Sequence, residues 1–203
     1  MWLYGASGHG KVILECLEAH GYTNISFVDD DKTKKDICGF EIFPPSYINP
    51  LTDFVIISIG DNTIRYKIVS NHNYSYISIK HPSAIISPRS TIGSGTVIFH
   101  HSVIQTGSSI GNHCIINTAA SVDHDCIIDD FVHISPNVTL CGGVSIGEGS
   151  HIGAGTTIIP GVKVGKWSVI GAGAVVTKNI PDYSVFVGVP AKFIKYNNQT
   201  NKL

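Results

Sequence analysis

Read at every sixth residue from Ile86 to Val176, the chain gives Ile86, Ile92, Ile98, Ile104, Ile110, Ile116, Val122, Ile128, Ile134, Leu140, Ile146, Ile152, Ile158, Val164, Ile170 and Val176. All sixteen are aliphatic. The residue two places before each is small or slim: Ala84, Ser90, Thr96, Ser102, Ser108, Cys114, Ala120, Cys126, Val132, Val138, Val144, Ser150, Thr156, Val162, Ser168 and Ala174. A period of six fits neither a helix nor simple strand alternation. It fits a chain that turns a corner every six residues and places one aliphatic and one small side chain inside at each face. Gly93, Gly111, Gly147, Gly153, Gly165 and Gly171 directly follow the aliphatic position, where we expect the corner to demand a backbone conformation that other residues resist.

Ahead of the repeats the pattern changes. Trp2 to Tyr4 reads as a short strand, Gly5-Ala6-Ser7-Gly8-His9-Gly10 as a glycine loop, and Lys11 to Ala19 as a helix. A second strand, Ile25 to Val28, ends in Asp29-Asp30-Asp31, and a third, Phe54 to Ile59, leads to a helix through Arg65 and Val69. Strand, glycine turn, helix, strand and acid is the opening of a nucleotide-binding βαβ unit. Its glycines let backbone amides approach phosphate, and an acid past the second strand can hold a ribose or a base. His9 before the last glycine departs from the dinucleotide fingerprint, and the small unit suits a mononucleotide better. His81-Pro82 hands over to the coils. The expected organisation is a small α/β domain over 1–80, the coils over 81–180, and a C-terminal turn and polar tail over 181–203, with disorder expected from Asn197 onward.

Fourteen Lys and Arg against fifteen Asp and Glu give a net charge of −1. That balance, with no basic stripe, argues against nucleic acid as a partner. No apolar run reaches membrane-spanning length and the opening residues carry no charged leader, so a cytoplasmic protein with no membrane insertion is expected. Five cysteines without a Cys-x-x-Cys pair suggest neither a disulfide framework nor a thiolate metal site. Cys114 and Cys126 fall in the small inward column and read as packing residues.

Together, the glycine loop, the sixteen hexapeptides and Gly188-Val189-Pro190-Ala191-Lys192 resemble one branch of the hexapeptide-repeat acetyltransferases. It includes sialic-acid O-acetyltransferases and N-acetyltransferases of nucleotide-linked 4-amino-4,6-dideoxy sugars. The resemblance implies a Rossmann-like α/β domain that binds the nucleotide sugar, followed by a left-handed parallel β-helix. It also implies a homotrimer with acetyl-CoA in a cleft between neighbouring helices. A general-base histidine beside an acid falls on His124 and Asp125, with Asp123 a competing partner. The family's oxyanion-contacting glycine amide falls on Gly142, one coil after His124 and so stacked over it about 5 Å away. His133, Gly142, Ala154, Ala172 and Lys192 would border the cofactor. Gly8, His9 and Gly10 would hold the diphosphate, and Asp29 and Asp30 the ribose or base.

The chemistry suits the residue types. An amine attacking a thioester must lose a proton, and a neutral imidazole is well matched to take it. No serine or cysteine stands out as an activated nucleophile, so direct attack within a ternary complex is expected. O-acetylation of sialic acid or another sugar is the alternative enzyme, and a nucleotide-binding structural trimer the non-enzymatic one. The base (UDP, GDP or CMP), with UDP preferred, and the sugar stay open. Zinc chemistry, found on the same prism, is disfavoured, because no two histidines show the five-residue spacing of those enzymes. Finally, Val97, Ile115, His133, His151 and Val169 form one outward column, and its apolar character predicts a trimer contact.

Overall fold

The computed structural model describes residues 1–197. β1 (Trp2–Tyr4), β2 (Ser26–Val28) and β5 (Phe54–Ile57) pair in parallel with β1 in the middle, so the chain builds first to one side of β1 and then to the other. β3 (Asp36–Ile37) and β4 (Phe40–Phe43) add a hairpin at one edge and β6 (Ser75–Tyr76) the opposite edge, giving the order β3-β4-β2-β1-β5-β6. The hairpin was not anticipated. Its turn is Cys38-Gly39, both at positive φ, the combination that two-residue hairpins favour.

Helix α1 (Gly8–Glu18) starts three residues earlier than its apolar spacing suggests, so His9 and Gly10 belong to its first turn. α2 (Asn62–Asn71) begins at Asp61, whose side chain accepts from Ile64 N at 2.9 Å.

From Ile79 the chain becomes a parallel β-helix of two-residue strands on three faces. The first face holds Val97–Ile98, Ile115–Ile116, His133–Ile134 and His151–Ile152, the second Val103–Ile104 to Val175–Val176, and the third Thr91–Ile92 to Lys163–Val164. Each strand pairs with the one 18 residues on, as Val97 does with Ile115. The sixth-residue aliphatics from Ile98 to Val176 fill the interior. The slim column does more than fit: Ser108 Oγ donates to Asp123 O at 2.6 Å, Cys114 Sγ to Asp129 O at 3.0 Å and Thr156 Oγ1 to Gly171 O at 3.1 Å. Small polar side chains therefore tie each coil to the next, each bond contributing about 1 kcal/mol.

The glycine expectation needs correction. Positive φ falls on every sixth residue from Gly95 to Gly173, three places after the aliphatic position, and is carried as readily by His113, Asp125, Phe131 and Trp167 as by glycine. The glycines directly after the aliphatic residue serve close approach instead. A Cβ on Gly93 would stand 2.5 Å from the Gly111 carbonyl carbon, and one on Gly153 would stand 2.6 Å from Ala172 N.

The outward column of the first face is also not a subunit contact. Val97 and Ile115 are buried in one cluster with Leu3, Ile13, Leu17 and Phe27 of the N-terminal sheet layer. The chain covers this face with its own domain. Arg65, fully buried on α2, rivets the two parts together. Its Nε donates to His113 O and its Nη2 to Phe131 O, both at 2.8 Å, while Nη1 reaches Ile59 O and Nη2 also Asn62 Oδ1. Asn62 Nδ2 takes the next corner, Gly149 O, at 2.9 Å. His113, Phe131 and Gly149 are successive 18-residue equivalents, so α2 reads three stacked corners. Tyr66 packs edge-on against Phe131 and Trp167 in the same column.

Strands Ser184–Val187 and Lys192–Tyr196 close the top of the first face. Asn197 is anchored, with N donating to Tyr183 O at 2.7 Å and Nδ2 to Trp167 O at 2.8 Å. The tail expected to be disordered thus begins no earlier than residue 198, and 198–203 lie outside the described residues.

Candidate active site

His124 follows the second-face strand Ser121–Val122, at the corner leading to the third face. Asp123 Oδ1 accepts from His124 N at 2.7 Å, so Asp123 braces the backbone. Asp125 takes the ring: its Oδ2 lies 2.8 Å from His124 Nδ1. The positive φ of Asp125, 58°, turns its carboxylate back to its neighbour. This hydrogen bond first, and the charge of Asp123 second, raise the His124 pKa above the ordinary histidine value. With the Nδ1 proton given to Asp125, Nε2 carries the lone pair.

Gly142 lies one coil on. A Cβ there would stand 2.6 Å from both Cε1 and Nε2 of His124, so the ring lies in space that only glycine leaves open. The stacking is held by Gly143 N donating to His124 O at 2.9 Å and Gly161 N to Gly142 O at 3.0 Å. No acceptor takes Gly142 N among the described residues. One coil before Asp125, a Cβ on Gly107 would collide with the Asp125 carboxylate. Gly107 was not anticipated, although its position 18 residues before Asp125 was available as a signal.

His133 is elsewhere. It sits on the first face, 8% exposed, with Nδ1 3.2 Å from Gly60 O and Nε2 3.2 Å from Asn117 Nδ2. Burial, then His151 and Arg65, lower its pKa to about 3. Its ring faces the junction with the N-terminal sheet, which corrects the expected outward contact with a cofactor. Ala154 and Ala172 stack exposed at the corner between the first and second faces, with Gly173 N donating to Ala154 O at 2.8 Å. The Gly188 turn joins them through Val175 N to Gly188 O at 3.1 Å, with exposed Lys192 next to it. His124 and Gly142 therefore flank one side of the second face, and Ala154, Ala172 and Lys192 the other.

In the N-terminal domain Gly8 is exposed at the start of α1. Gly10 is buried, and a Cβ there would stand 2.8 Å from Gly5 O and 3.1 Å from the Phe27 ring. It serves helix-on-sheet packing, a correction to its expected phosphate role. His9 packs edge-on against Phe99 with its Nε2 buried and unpartnered, and burial and Arg65 lower its pKa to about 4. Asp29 is committed to the loop: Oδ2 accepts from Ala6 N and Lys34 Nζ, both at 2.7 Å, and Oδ1 from Asp31 N at 2.9 Å. Those bonds outweigh burial and lower its pKa. Asp30 accepts from Tyr4 OH at 2.9 Å. Among the described residues no three His, Cys, Asp or Glu side chains gather to hold a metal ion, and no helix is long and apolar enough to cross a membrane.

Comparison with known proteins agrees with this architecture. Residues 1–72 match the model of the PglD N-terminal domain, and 125–160 and 143–178 that of the bacterial transferase hexapeptide (six repeats). Over 106 residues the chain is 40% identical to a UDP-N-acetylbacillosamine N-acetyltransferase of Bacillus subtilis (strain 168). That match spans 47% of this chain and 49%, about half, of the relative. The acetyltransferase domain of PglB from Neisseria gonorrhoeae FA1090 superimposes with a TM-score of 0.90 at 39% identity, covering 95% of this chain and 98% of that one. A histidine-to-asparagine mutant of perosamine N-acetyltransferase from Caulobacter crescentus, in complex with CoA and GDP-perosamine, does so with a TM-score of 0.90 at 36% identity, covering 96% of each. With the PglD-type domain ahead of a left-handed β-helix and this similarity along nearly its full length, the chain belongs to the hexapeptide-repeat acetyltransferases.

Proposed function

We propose that this chain moves acetyl from acetyl-CoA to the 4-amino group of a nucleotide-linked 4-amino-4,6-dideoxy sugar, UDP-linked in the first instance, for glycan or surface-polysaccharide synthesis. One observation carries the reading: the His124 ring is tied through Nδ1 to Asp125 and lies with Nε2 against the opening left by Gly142. A base with a defined tautomer next to a free amide is what amine acylation requires. The relatives favour an amine acceptor, since one is named for UDP-N-acetylbacillosamine and another holds GDP-perosamine.

Acetyl-CoA supplies an activated carbonyl and a thiolate leaving group. As the new C–N bond forms, His124 Nε2 takes the amine proton and Asp125 steadies the imidazolium. Gly142 N–H meets the charge that gathers on the thioester oxygen. His124 then returns a proton to the departing sulfur. In this reading the protein is a homotrimer, with His124 and Gly142 of one subunit facing Ala154, Ala172 and Lys192 of its neighbour across the cleft. The support is that one chain holds the two sets at opposite edges of its second face. Gly8 and the loop braced by Asp29 hold the diphosphate.

The test is turnover of a UDP-linked 4-amino sugar with acetyl-CoA. Wild type should release CoA in step with N-acetylated sugar. His124→Ala should lose about 100- to 10,000-fold in kcat while binding UDP as before. Turnover unchanged in His124→Ala would remove the base, and turnover of a free sialic acid instead would move the reading to O-acetylation.

A further inference from the structure

Two cavities on the N-terminal domain meet at Lys34. One, of about 380 Å³, runs past Asp31, Phe43 and Pro44. The other, of about 420 Å³, runs past Ser7, Gly8 and Lys11. Lys34 and Ile42 line both. Lys34 Nζ is held 2.7 Å from Asp29 Oδ2, the oxygen that also accepts from Ala6 N in the glycine loop. An ammonium has three N–H donors, and no second acceptor takes this one among the described residues.

We propose that Lys34 reads the diphosphate of the sugar nucleotide and couples its arrival to the glycine loop, with the base in the Phe43 cavity and the diphosphate in the Gly8 cavity. This rests on the nucleotide-sugar reading above. Asp29 and Asp30, expected to meet the ribose or base, are committed to Ala6, Lys34 and Asp31 in the first case and to Tyr4 in the second. Recognition passes to the cation they leave available. Lys35 is a poorer candidate, since its Nζ donates to Lys32 O at 3.0 Å and it lines only the Phe43 cavity. Lys11 lines only the other. Lys34 alone among the lysines can touch a ligand that spans the two. Its salt bridge fixes the ammonium in advance, which lowers the ordering cost of binding a dianion.

Calorimetric titration with UDP, GDP and CoA separately tests this on wild type, Lys34→Met, Lys34→Arg and Lys35→Met. Lys34→Met should weaken the nucleotide that wild type binds by about 10- to 100-fold. Lys34→Arg and Lys35→Met should each lose less than about fivefold, and CoA affinity, which reports an intact fold, should not move. Rising salt should erode nucleotide affinity less in Lys34→Met than in wild type. Wild type binding neither UDP nor GDP would bring down the nucleotide-sugar reading itself. If wild type binds and Lys34→Met binds equally well, the Lys34 assignment alone falls. Equal losses in Lys34→Met and Lys35→Met would also overturn it, by showing a diffuse charge effect.

Discussion

The His124 ring occupies the volume that a side chain on Gly142 would need, one coil away, with Nε2 and Cε1 each 2.6 Å from where that Cβ would lie. Gly142 is not among the positive-φ residues, so alanine suits its backbone. His124 is more than half exposed, so the ring gives way and the coil does not. Gly142→Ala should therefore keep the thermal midpoint within a few degrees of wild type and lower kcat/KM by about 100-fold or more. Unchanged kcat/KM would detach Gly142 from the chemistry.

Asp125 sets the pH dependence. A base works only as neutral imidazole, and the Asp125 hydrogen bond raises the pKa of His124, so the acidic limb of kcat/KM should lie above the ordinary histidine value of about 6.5. Activity then rises with pH through that limb. Asp125→Asn should move the limb to lower pH and reduce the plateau, because the neutral amide raises the pKa less and no longer stabilises the imidazolium. Asp123→Asn should move it less, since Asp123 holds the backbone amide and acts on the ring by charge alone. A limb that stays fixed in Asp125→Asn would assign the ionisation to another group.

The coils were legible because each repeats the same demand: one aliphatic and one slim residue inside per corner. What remained hidden has physical reasons. Left-handed φ at His113, Asp125, Phe131 and Trp167 leaves no mark on composition, so the choice between Asp123 and Asp125 could not be made from spacing. Periodicity shows that Val97 and Ile115 face outward from the coil, but not whether the cover comes from the same chain or another. Asp29 followed the second strand as expected, yet its oxygens went to Ala6 and Lys34, contacts set by the loop's path. Arg65 looked like one polar residue on a helix until the corners 18 residues apart were stacked against it.

Acid should weaken the fold at the junction between the two parts. The pKa values of His9 and His113 are lowered to about 4 and that of His133 to about 3, with His151 also lowered, burial being the main cause in each. Unfolded histidine titrates near 6.5. A depressed value means that the unfolded chain binds the proton first, so stability is complete above about pH 6.5 and is lost as pH falls towards 4, by about 1 kcal/mol per ring for each pH unit. Urea midpoints from pH 8 to 4.5 should be flat and then fall. His133→Asn should lower the midpoint at pH 8 but make the fall shallower. A midpoint independent of pH over this range would contradict buried neutral rings.

Arg65 should be irreplaceable by lysine. Its guanidinium is fully buried, its pKa pulled down to about 10 by desolvation, and its donors are met by the carbonyls of His113, Phe131 and Ile59 and the side chain of Asn62, with no carboxylate among them. Carbonyl dipoles from two stacked corners and the Ile59 turn must compensate the charge, which a planar fork can arrange and a single ammonium cannot. Arg65→Lys should cost about 2–4 kcal/mol in urea unfolding, from unpaired carbonyls and a poorly solvated charge. Arg65→Met removes the charge but leaves the carbonyls unpaired, so it should be destabilising by a similar amount. Hydrogen exchange should then quicken first at α2 and the Gly60 turn while the amides of the inner coils stay protected. Full protection of α2 in Arg65→Lys would mean that the Val97 and Ile115 cluster alone holds the domain to the coils.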